Sequence, residues 1–305
     1  MGRRIAVAFA IVAMLVLAGY GFYRLLLVEG AGLPPSSDAG TGVEGLRRVK
    51  VVSIGGRVEK RRGDAPWTVV KTGDELLQEE AIRTSDDGKA LLDVGDIATV
   101  EVSARSEFTV RELSETASRV RLEEGRLAAD VHGVSQSTFK VEAKGSDAVA
   151  ETSQGQFSVL TTGRGQVSVA TRKGRVRLSA KNRTVEVTAG KQSVVLPEQP
   201  PGLPEDIPPS VFLKVARPKS RVQREKETVI KGTTTPGAVV SINGVYARAN
   251  QEGQFEATVA LNEGRNKILV EAEDAAGHRE KAELPEITVD TRPPNVKTDV
   301  KWGED

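Results

Sequence analysis

The sequence predicts a mainly β protein in which an N-terminal membrane-spanning helix precedes two β domains. The first observation behind this prediction is an uncharged apolar segment over residues 5–23. The second is a succession of short runs in which apolar and polar residues alternate between Gly and Asp turns, a pattern typical of half-buried strands. The third is a proline-rich segment, residues 197–209, which divides these runs into two blocks.

The composition is that of a folded protein with no bias toward nucleic acid. Hydrophobic residues make up 38 % and charged residues 28 % of the 305 residues, enough chain for two ordinary domains. The 43 basic residues nearly cancel the 42 acidic ones, so the basic excess of nucleic-acid-binding proteins is missing. The sequence contains no cysteine, which excludes disulfides, zinc–thiolate sites and a cysteine nucleophile. We therefore expect no nucleic-acid partner and no cofactor.

The apolar segment 5–23 is long enough to cross a bilayer, because about 19 helical residues span roughly 28 Å. Arg3 and Arg4 precede it and Arg24 follows it, which favours a cytoplasmic N-terminus and a translocated body. We predict a single-pass protein of the bacterial inner membrane with most of its chain in the periplasm. The alternative is a signal peptide cleaved after Ala18, which would leave a secreted or periplasmic protein.

Changes in composition divide the chain into six predicted parts. These parts are a transmembrane anchor or signal peptide at 1–28, a flexible linker at 29–48, a first β domain at 49–196, a proline-rich linker at 197–209, a β-sandwich at 210–290 and a tail at 291–305. The first linker is rich in Gly, Pro and Ser, which is typical of flexible spacers. The second is stiff and extended, because proline fixes φ and lacks an N–H group.

Turn residues punctuate the first block. Asp86-Asp87-Gly88 and Asp93-Val94-Gly95-Asp96 each separate alternating runs, which predicts a hairpin at both places. A Gly-x-apolar step also recurs, as expected for strand-plus-turn units of a sandwich or barrel. These steps begin at Gly125, Gly155, Gly165 and Gly174. Residues 74–82 form the one plausible helix outside the anchor, with Asp74 as its N-cap.

The second block has the pattern of an immunoglobulin-like sandwich. About seven short strand signals fall within about 80 residues. Asn243-Gly244 separates two of them and predicts a two-residue type I′ hairpin, in which both turn residues have positive φ.

An ordered series of short motifs extends over nearly half of the chain. It consists of Gly56-Arg57-Val58, Trp67, Ile82-Arg83-Thr84, Asp87-Gly88-Lys89-Ala90-Leu91-Leu92, Leu122-Glu123-Glu124-Gly125-Arg126-Leu127, Phe139-Lys140-Val141-Glu142, Gly155-Gln156-Phe157-Ser158-Val159, Gly174-Arg175-Val176 and Ala189-Gly190-Lys191-Gln192. Through this order the first block resembles the FecR domain of bacterial envelope proteins. The sequence departs from the family pattern at Glu80-Ala81 and at Gly155-Gln156, where Gly-Asp and Gly-Thr are frequent.

The second block is similar to bacterial Ig-like domains of envelope and carbohydrate-processing proteins, through Lys231-Gly232-Thr233, Pro236-Gly237-Ala238 and Glu273-Asp274-Ala275-Ala276-Gly277. FecR regulators of the iron-transport type have a cytoplasmic arm that engages a sigma factor. With the predicted anchor, residues 1–4 alone would lie in the cytoplasm. The resemblance therefore implies the sensing-side fold without a direct sigma-factor contact.

Residues with catalytic or metal-binding chemistry are few. His132 and His278 are far apart and lack the ligand spacing of a metal site. The aspartates at 74, 86, 87, 93 and 96 suit turns, where Asp bonds to its own backbone, although acid/base or calcium chemistry is the alternative. A glycosidase-type carboxylate pair is defined by its separation in space and stays open. We predict a protein that is not an enzyme and has no catalytic, cofactor-binding or metal residues.

One stretch has a local excess of basic residues. They are Arg172, Lys173, Arg175, Arg177, Lys181 and Arg183. They form either a solvated sheet face or a contact for an anionic envelope polymer, lipid head groups or a partner.

These observations support three hypotheses of function. The first is a non-enzymatic, membrane-anchored binding or scaffold protein of the bacterial cell envelope, with an envelope protein or polysaccharide as partner. The second is a FecR-type sensor and regulator of transmembrane signalling that acts through another membrane protein. The third is an accessory module of glycan processing, since Ig-like modules accompany catalytic domains without being catalytic themselves.

Overall fold

The computed structural model of the protein describes residues 48–114, 117–132, 137–218, 220–247, 249–250 and 252–292. The predicted anchor or signal peptide at 1–28 and the tail beyond 292 lie outside these residues, as does the flexible linker apart from its last residue. Within the described ranges, no helix is both long and apolar enough to cross a membrane. Every regular element there is a strand, which confirms the mainly β prediction.

The first sixteen strands form one sandwich. They are β1 (Val49–Gly55), β2 (Val58–Arg62), β3 (Thr68–Val69), β4 (Glu75–Leu76), β5 (Glu80–Thr84), β6 (Lys89–Asp93), β7 (Ala98–Val102), β8 (Glu107–Leu113), β9 (Ala117–Val131), β10 (Thr138–Ala143), β11 (Val149–Thr152), β12 (Gly155–Thr161), β13 (Val167–Ala180), β14 (Arg183–Thr188), β15 (Lys191–Val195) and β16 (Glu205–Asp206). Sheet A has the order β4-β1-β6-β7-β9-β12-β13-β15-β16. Sheet B has the order β3-β2-β5-β8-β9-β10-β11-β13-β14. All neighbours are antiparallel except β9 and β10.

The long strands β9 and β13 belong to both sheets, and each changes sheet at a glycine. Gly125 has φ +88° where β9 passes from sheet B to sheet A, and Gly174 has φ +74° where β13 passes from sheet A to sheet B. A Cβ on Gly125 would lie 2.5 Å from the Cα of Ser106. Two of the predicted Gly-x-apolar steps therefore mark strand bends, since only glycine adopts this backbone without strain.

The core of the first sandwich lies between sheets A and B. Its largest fully buried side chains come from strands of both sheets. Phe139 of sheet B meets Phe157 of sheet A edge to face, with ring centroids 6.3 Å apart. Because aromatic residues are scarce, Val, Leu, Ile and Ala fill the rest of this core.

Two local predictions in the first block are wrong. Residues 74–82 form β4, a turn and β5, because Leu76 and Ile82 are buried in the strands of different sheets and a segment this short does not maintain a helix alone. Asp74 accepts a hydrogen bond from the Lys71 N–H (3.0 Å) in a turn instead of capping a helix. Asp86-Asp87-Gly88 is no hairpin either: it connects β5 of sheet B to β6 of sheet A. The predicted hairpin at 93–96 joins β6 to β7 and is confirmed.

The remaining strands form a second, smaller sandwich. They are β17 (Leu213–Val215), β18 (Val222–Gln223), β19 (Glu227–Thr234), β20 (Val239–Ile242), β21 (Val245–Ala247), β22 (Gln254–Ala260), β23 (Gly264–Glu273) and β24 (Arg279–Val289). Sheet C has the order β17-β19-β22, and sheet D has the order β18-β24-β23-β20-β21. Asn243 (φ +48°) and Gly244 (φ +84°) join β20 to β21, which confirms the type I′ hairpin.

The two sandwiches belong to one compact unit. The proline-rich segment 197–209 runs beside sheet A and contains β16, which pairs with β15. Sheet D of the second sandwich faces the outer side of sheet A, and buried side chains from both meet there. The contact between sheets A and D is called the domain interface below.

Candidate functional site

The apolar part of the domain interface is small and made mainly of short side chains. Leu160 of β12 and Ala170 of β13 contact Val239, Ala275 and Ala276 of the second sandwich, and all five are buried. Leu160 and Ala170 lie on the outer face of sheet A, which is opposite to the main core. Short side chains allow the two backbones to approach closely, so carbonyl groups of one sandwich come within hydrogen-bonding distance of the other.

Polar groups of sheet A bind the backbone of two turns in the second sandwich. The Ser158 hydroxyl donates to the Ala275 carbonyl (2.5 Å), and the Ser168 hydroxyl donates to the Gly237 carbonyl (2.5 Å). Both serines are buried. Because a buried carbonyl without a donor is costly, these bonds fix the position of each turn on sheet A.

Arg126 is the central residue of the interface. Its side chain leaves β9 on the outer face of sheet A, and the residue is only 9 % exposed. Nε donates to the Ala275 carbonyl (3.0 Å), Nη2 to the Ala276 carbonyl (3.4 Å) and Nη1 to the Ser103 hydroxyl (3.2 Å). No carboxylate of the described residues forms an ion pair with it. Burial lowers the pKa of this guanidinium, which stays charged all the same.

Arg172 approaches the same turn from the next strand but one. The register of β12 and β13 shifts between Gln156 and Phe157, which leaves Arg172 as the extra residue of a bulge. Its Nη2 donates to the Ala276 carbonyl (2.9 Å), so two guanidinium groups share one oxygen atom. The bulge thus interrupts the regular alternation of β13 and directs the Arg172 side chain toward the turn at Ala276.

A charged network closes the other side of the interface. Arg105 lies 2.8 Å from Glu271, which also pairs with Lys281 at 2.6 Å. Desolvation raises the pKa of Glu271, but hydrogen bonds from Lys281 and Arg105 outweigh it and leave this pKa below its usual value. Tyr246 donates to the Arg105 carbonyl (3.4 Å), and burial raises the pKa of this phenol to about 12. At neutral pH Glu271 is therefore ionised and the Tyr246 phenol is neutral.

The turn that Arg126 and Arg172 bind is stabilised from within its own sandwich. The buried Asp274 accepts hydrogen bonds from the His278 backbone N–H (2.8 Å) and lies 2.7 Å from its Nδ1. His278 therefore helps to stabilise this turn. The other histidine, His132, lies elsewhere, with its Nε2 3.2 Å from the hydroxyl of Thr99. The described ranges contain no group of three side chains able to hold a metal ion.

A polar groove runs along sheet A beside the domain interface; we call it the junction groove. A cleft of about 420 Å³ is lined by Arg126, Arg172 and the turn at Ala276, and also by Glu101 and Asp130. A second cleft of about 640 Å³ shares Asp130 with it and continues the groove. Gln156 lines both clefts, and Lys173 and Arg175 line the second one.

The six basic residues of the sequence prediction fall into two groups. Arg172, Lys173 and Arg175 line the junction groove. The other three do not line it: Arg177 lies on the part of β13 that belongs to sheet B, Lys181 in the turn between β13 and β14, and Arg183 on β14. Because β13 changes sheet at Gly174, Arg172 and Lys173 lie before the bend and the other four residues, Arg175 among them, lie after it. Whether either group contacts an anionic polymer stays a prediction.

Several of these cations are paired with glutamates. Arg175 lies 3.6 Å from Glu186, Arg177 lies 3.3 Å from Glu151, and Lys181 lies 2.6 Å from Glu198. The hydrogen bond that the Lys181 ammonium donates to Glu198 raises the pKa of Lys181. Lys173 and Arg183, in contrast, form no ion pair with any described residue.

The ion pairs of Arg175 and Arg177 belong to a larger set of ion pairs on the outer face of sheet B, which we call the charged face. Its pairs are Arg83–Glu59 (2.7 Å), Arg61–Glu107 (3.5 Å), Arg119–Glu142 (3.1 Å), Lys140–Glu151 (3.5 Å), Arg177–Glu151 and Arg175–Glu186. At one end Trp67 lies between the guanidinium groups of Arg61 and Arg83, whose carbons are 4.4 and 4.2 Å from its ring. Such stacking stabilises a half-exposed indole.

Sequence reasoning named Arg172 as a basic residue but did not identify the domain interface or its other residues. Arg126 lies within a motif of the FecR resemblance, and Ala275 and Ala276 lie within one of the Ig-like resemblance. An available signal was the run Phe157-Ser158-Val159-Leu160, which is apolar or small on both faces of a strand. Such a run is typical of a strand covered on both sides.

Two family models match the chain. The model described as FecR protein matches residues 80–177, which confirms the FecR resemblance of the first block. The model described as glucodextranase, domain B, an Ig-like fold, matches residues 212–292. No curated protein matches the chain.

Similar solved structures include two crystal structures of a protein described as an anti-sigma factor from Parabacteroides distasonis. They are 17 % and 16 % identical to this chain with a TM-score of 0.37, and each similarity covers 41 % of this chain. The matched part spans 59 % of the anti-sigma factor. A polysaccharide lyase is 9 % identical, with a TM-score of 0.20, over 78 % of this chain and 40 % of the lyase. At such TM-scores none of these similarities indicates a function.

Proposed function

We propose that this chain, which contains a FecR domain followed by a glucodextranase domain B, is a non-enzymatic regulator of signalling in the bacterial envelope. It senses a ligand or partner outside the cytoplasm and passes the signal on through another membrane protein. The FecR match over residues 80–177 is the observation that carries the proposal. This range contains Arg105, Arg126 and Arg172, the three cations of the domain interface.

The domain interface supports a sensing role. Binding to one sandwich changes the behaviour of the other only if the two are energetically coupled. Here, sheet A and sheet D are coupled by buried apolar contacts and by hydrogen bonds from Arg126, Ser158 and Ser168. A partner that favours or disfavours this arrangement would therefore affect both sandwiches.

The location in the envelope is part of the same proposal. The apolar segment 5–23 and its flanking arginines favour a membrane anchor with both sandwiches in the periplasm. N-terminal sequencing of the protein isolated from its native membrane distinguishes the retained anchor from a cleaved signal peptide. A start after Ala18 would contradict the anchor and leave a periplasmic protein.

Transcript profiling tests the regulatory role. We expect deletion of the gene to change a defined set of transcripts and the full chain to restore them. A chain with Leu160→Asp, which puts a charge into the domain interface, should not restore them. Val69→Asp is the matched control, because Val69 is 61 % exposed on β3 and the same change there leaves the interface intact. A transcript profile that deletion leaves unchanged contradicts the proposal.

In-cell crosslinking separates the regulator from the scaffold hypothesis, which rests on the tandem β layout. A photo-reactive residue at position 69, on the edge strand β3 of sheet B, reports on partners that bind near Trp67. A regulator should yield a membrane protein whose own deletion changes the same transcripts. Recovery of an envelope polymer or protein without any effect on transcription would support the scaffold instead.

A further inference from the structure

The junction groove contains charged groups that the domain interface does not neutralise. Arg126, Arg172 and Lys173 all line it, and none of them forms an ion pair with a described residue. Arg172 uses one of its five N–H donors on Ala276, and Lys173 is exposed. Burial is the main cause of the lowered pKa of Arg126; Glu273 and Glu101 act against it, and repulsion from Arg172, which shares the Ala276 oxygen, adds to it. An anion beside Arg172 would reduce this repulsion.

The groove also contains acceptors. Glu101 is exposed and forms no ion pair with a described cation, and Asp130 accepts one hydrogen bond, from Nε2 of Gln156 (2.8 Å). Each carboxylate has lone pairs left for donors of a ligand. A ligand that was purely anionic would be repelled by these two carboxylates, whereas one with hydroxyl groups would bind both the cations and the carboxylates.

The size and lining of the groove further limit the class of ligand that it can bind. Clefts of about 420 and 640 Å³ lie in the range of small-molecule sites. Of the large apolar lining residues, Phe157 is buried and Leu91 is half-buried, so most of the accessible lining is polar or charged. Cations and acceptors in one groove fit a chain of hydroxylated, carboxylate-bearing rings.

We propose that the junction groove binds a carboxylate-bearing oligosaccharide, with its carboxylates at Arg172 and Lys173 and its hydroxyl groups at Glu101 and Asp130. This inference deepens the proposed function, because it names the class of ligand that the regulator senses. Since the turn at Ala276 forms one end of the groove, a bound saccharide would contact both sandwiches.

Calorimetric titration of the full chain tests the inference. The probes are tetragalacturonic acid, its methyl ester, which has the same hydroxyl groups without charge, and tetraglutamate as an acidic peptide. We expect saturable binding of tetragalacturonic acid and binding of the methyl ester weaker by about tenfold or more, because charge-assisted bonds are lost. Lys173→Gln and Arg172→Gln should each weaken binding by about fivefold or more.

Controls separate the groove from the fold and from the other basic residues. Lys173 has no described partner, so Lys173→Gln leaves the domain interface untouched even if Arg172→Gln does not. Arg177→Gln, on the charged face, should bind like the wild type. Absent binding, equal affinity for tetraglutamate, or unchanged affinity in Lys173→Gln overturns the inference. If tetragalacturonic acid binds but deletion of the gene leaves the transcripts unchanged, the regulatory role is rejected and the saccharide site is not. If deletion changes the transcripts but no saccharide binds, the saccharide site is rejected and the regulatory role is not.

Discussion

The outer faces of the two sheets of the first sandwich differ in chemistry and in what covers them. On sheet A, the strands β12 and β13 present Ser158, Leu160, Ser168 and Ala170, all buried by the second sandwich. On sheet B, the corresponding outward positions are arginine, lysine and glutamate in facing pairs of the charged face, which stays open to solvent. One sandwich therefore has one face for a neighbouring domain and one for water.

The difference teaches that the domain interface depends mainly on small residues and backbone acceptors, with the Arg105–Glu271 ion pair at its edge. Pairs between exposed side chains contribute about 0–1 kcal/mol each, because water solvates both charges well. Buried apolar surface contributes about 25 cal/mol per Å², and a buried carbonyl without a donor costs about 1–3 kcal/mol. The contacts of Leu160 and Arg126 should therefore outweigh those of the charged face.

The largest effect is expected from a charge placed at the centre of the interface. Leu160→Asp removes the largest buried apolar side chain of the interface and puts a charge in its place, and we expect it to cost about 2–5 kcal/mol of unfolding free energy. Val69→Asp makes a comparable change at an exposed position and should cost about 0.5 kcal/mol or less. Denaturant unfolding of the full chain measures both, and protease cleavage within residues 197–209 reports separation of the sandwiches. Similar losses in both variants would remove the contrast between the faces.

An intermediate effect is expected from Arg126→Met, which keeps the apolar stem and removes the donors. The Ala275 and Ala276 carbonyls keep Ser158 and Arg172 as partners, so the cost should be about 1–2 kcal/mol. The matched variant is Arg175→Met, whose arginine is 74 % exposed in its pair with Glu186 and should matter by about 0.5 kcal/mol or less. The comparison fails if the two arginines prove equally important in denaturant unfolding.

The smallest effect concerns pH, since Glu271 lies at the edge of the interface. Its pKa is lowered in the folded protein, so its contribution to stability is present above the ordinary pKa of a glutamate and is lost as pH falls through the lower, folded value. Between about pH 5 and about pH 3, the wild type should therefore lose more stability than Glu271→Gln. Unfolding midpoints over this range measure the difference. Glu186→Gln, on the charged face, serves as control, and an identical pH dependence of Glu271→Gln and wild type would exclude the role of Glu271.

Features set by neighbouring residues could be predicted from the sequence. Asn243-Gly244 specifies its hairpin because both residues accept positive φ, and the alternating runs specify strands because one face of each is buried. The resemblance to FecR rests on the order of such local motifs and is confirmed by the family match. The groups gathered in the junction groove come from β7, β9, β12 and β13, so no local pattern predicts them.

The sequence by itself determined the strands, most of the turns and the family of the first block, because these depend on side-chain alternation and on turn residues a few positions apart. Only the tertiary structure decided that Asp86-Asp87-Gly88 crosses between sheets and that Gly125 and Gly174 bend strands shared by both sheets. It also decided which face of the sandwich is covered. Leu160 and Ala170 are buried, and Arg126 and Arg172 brought together, by residues more than 60 positions away, and no local pattern reports such distant partners.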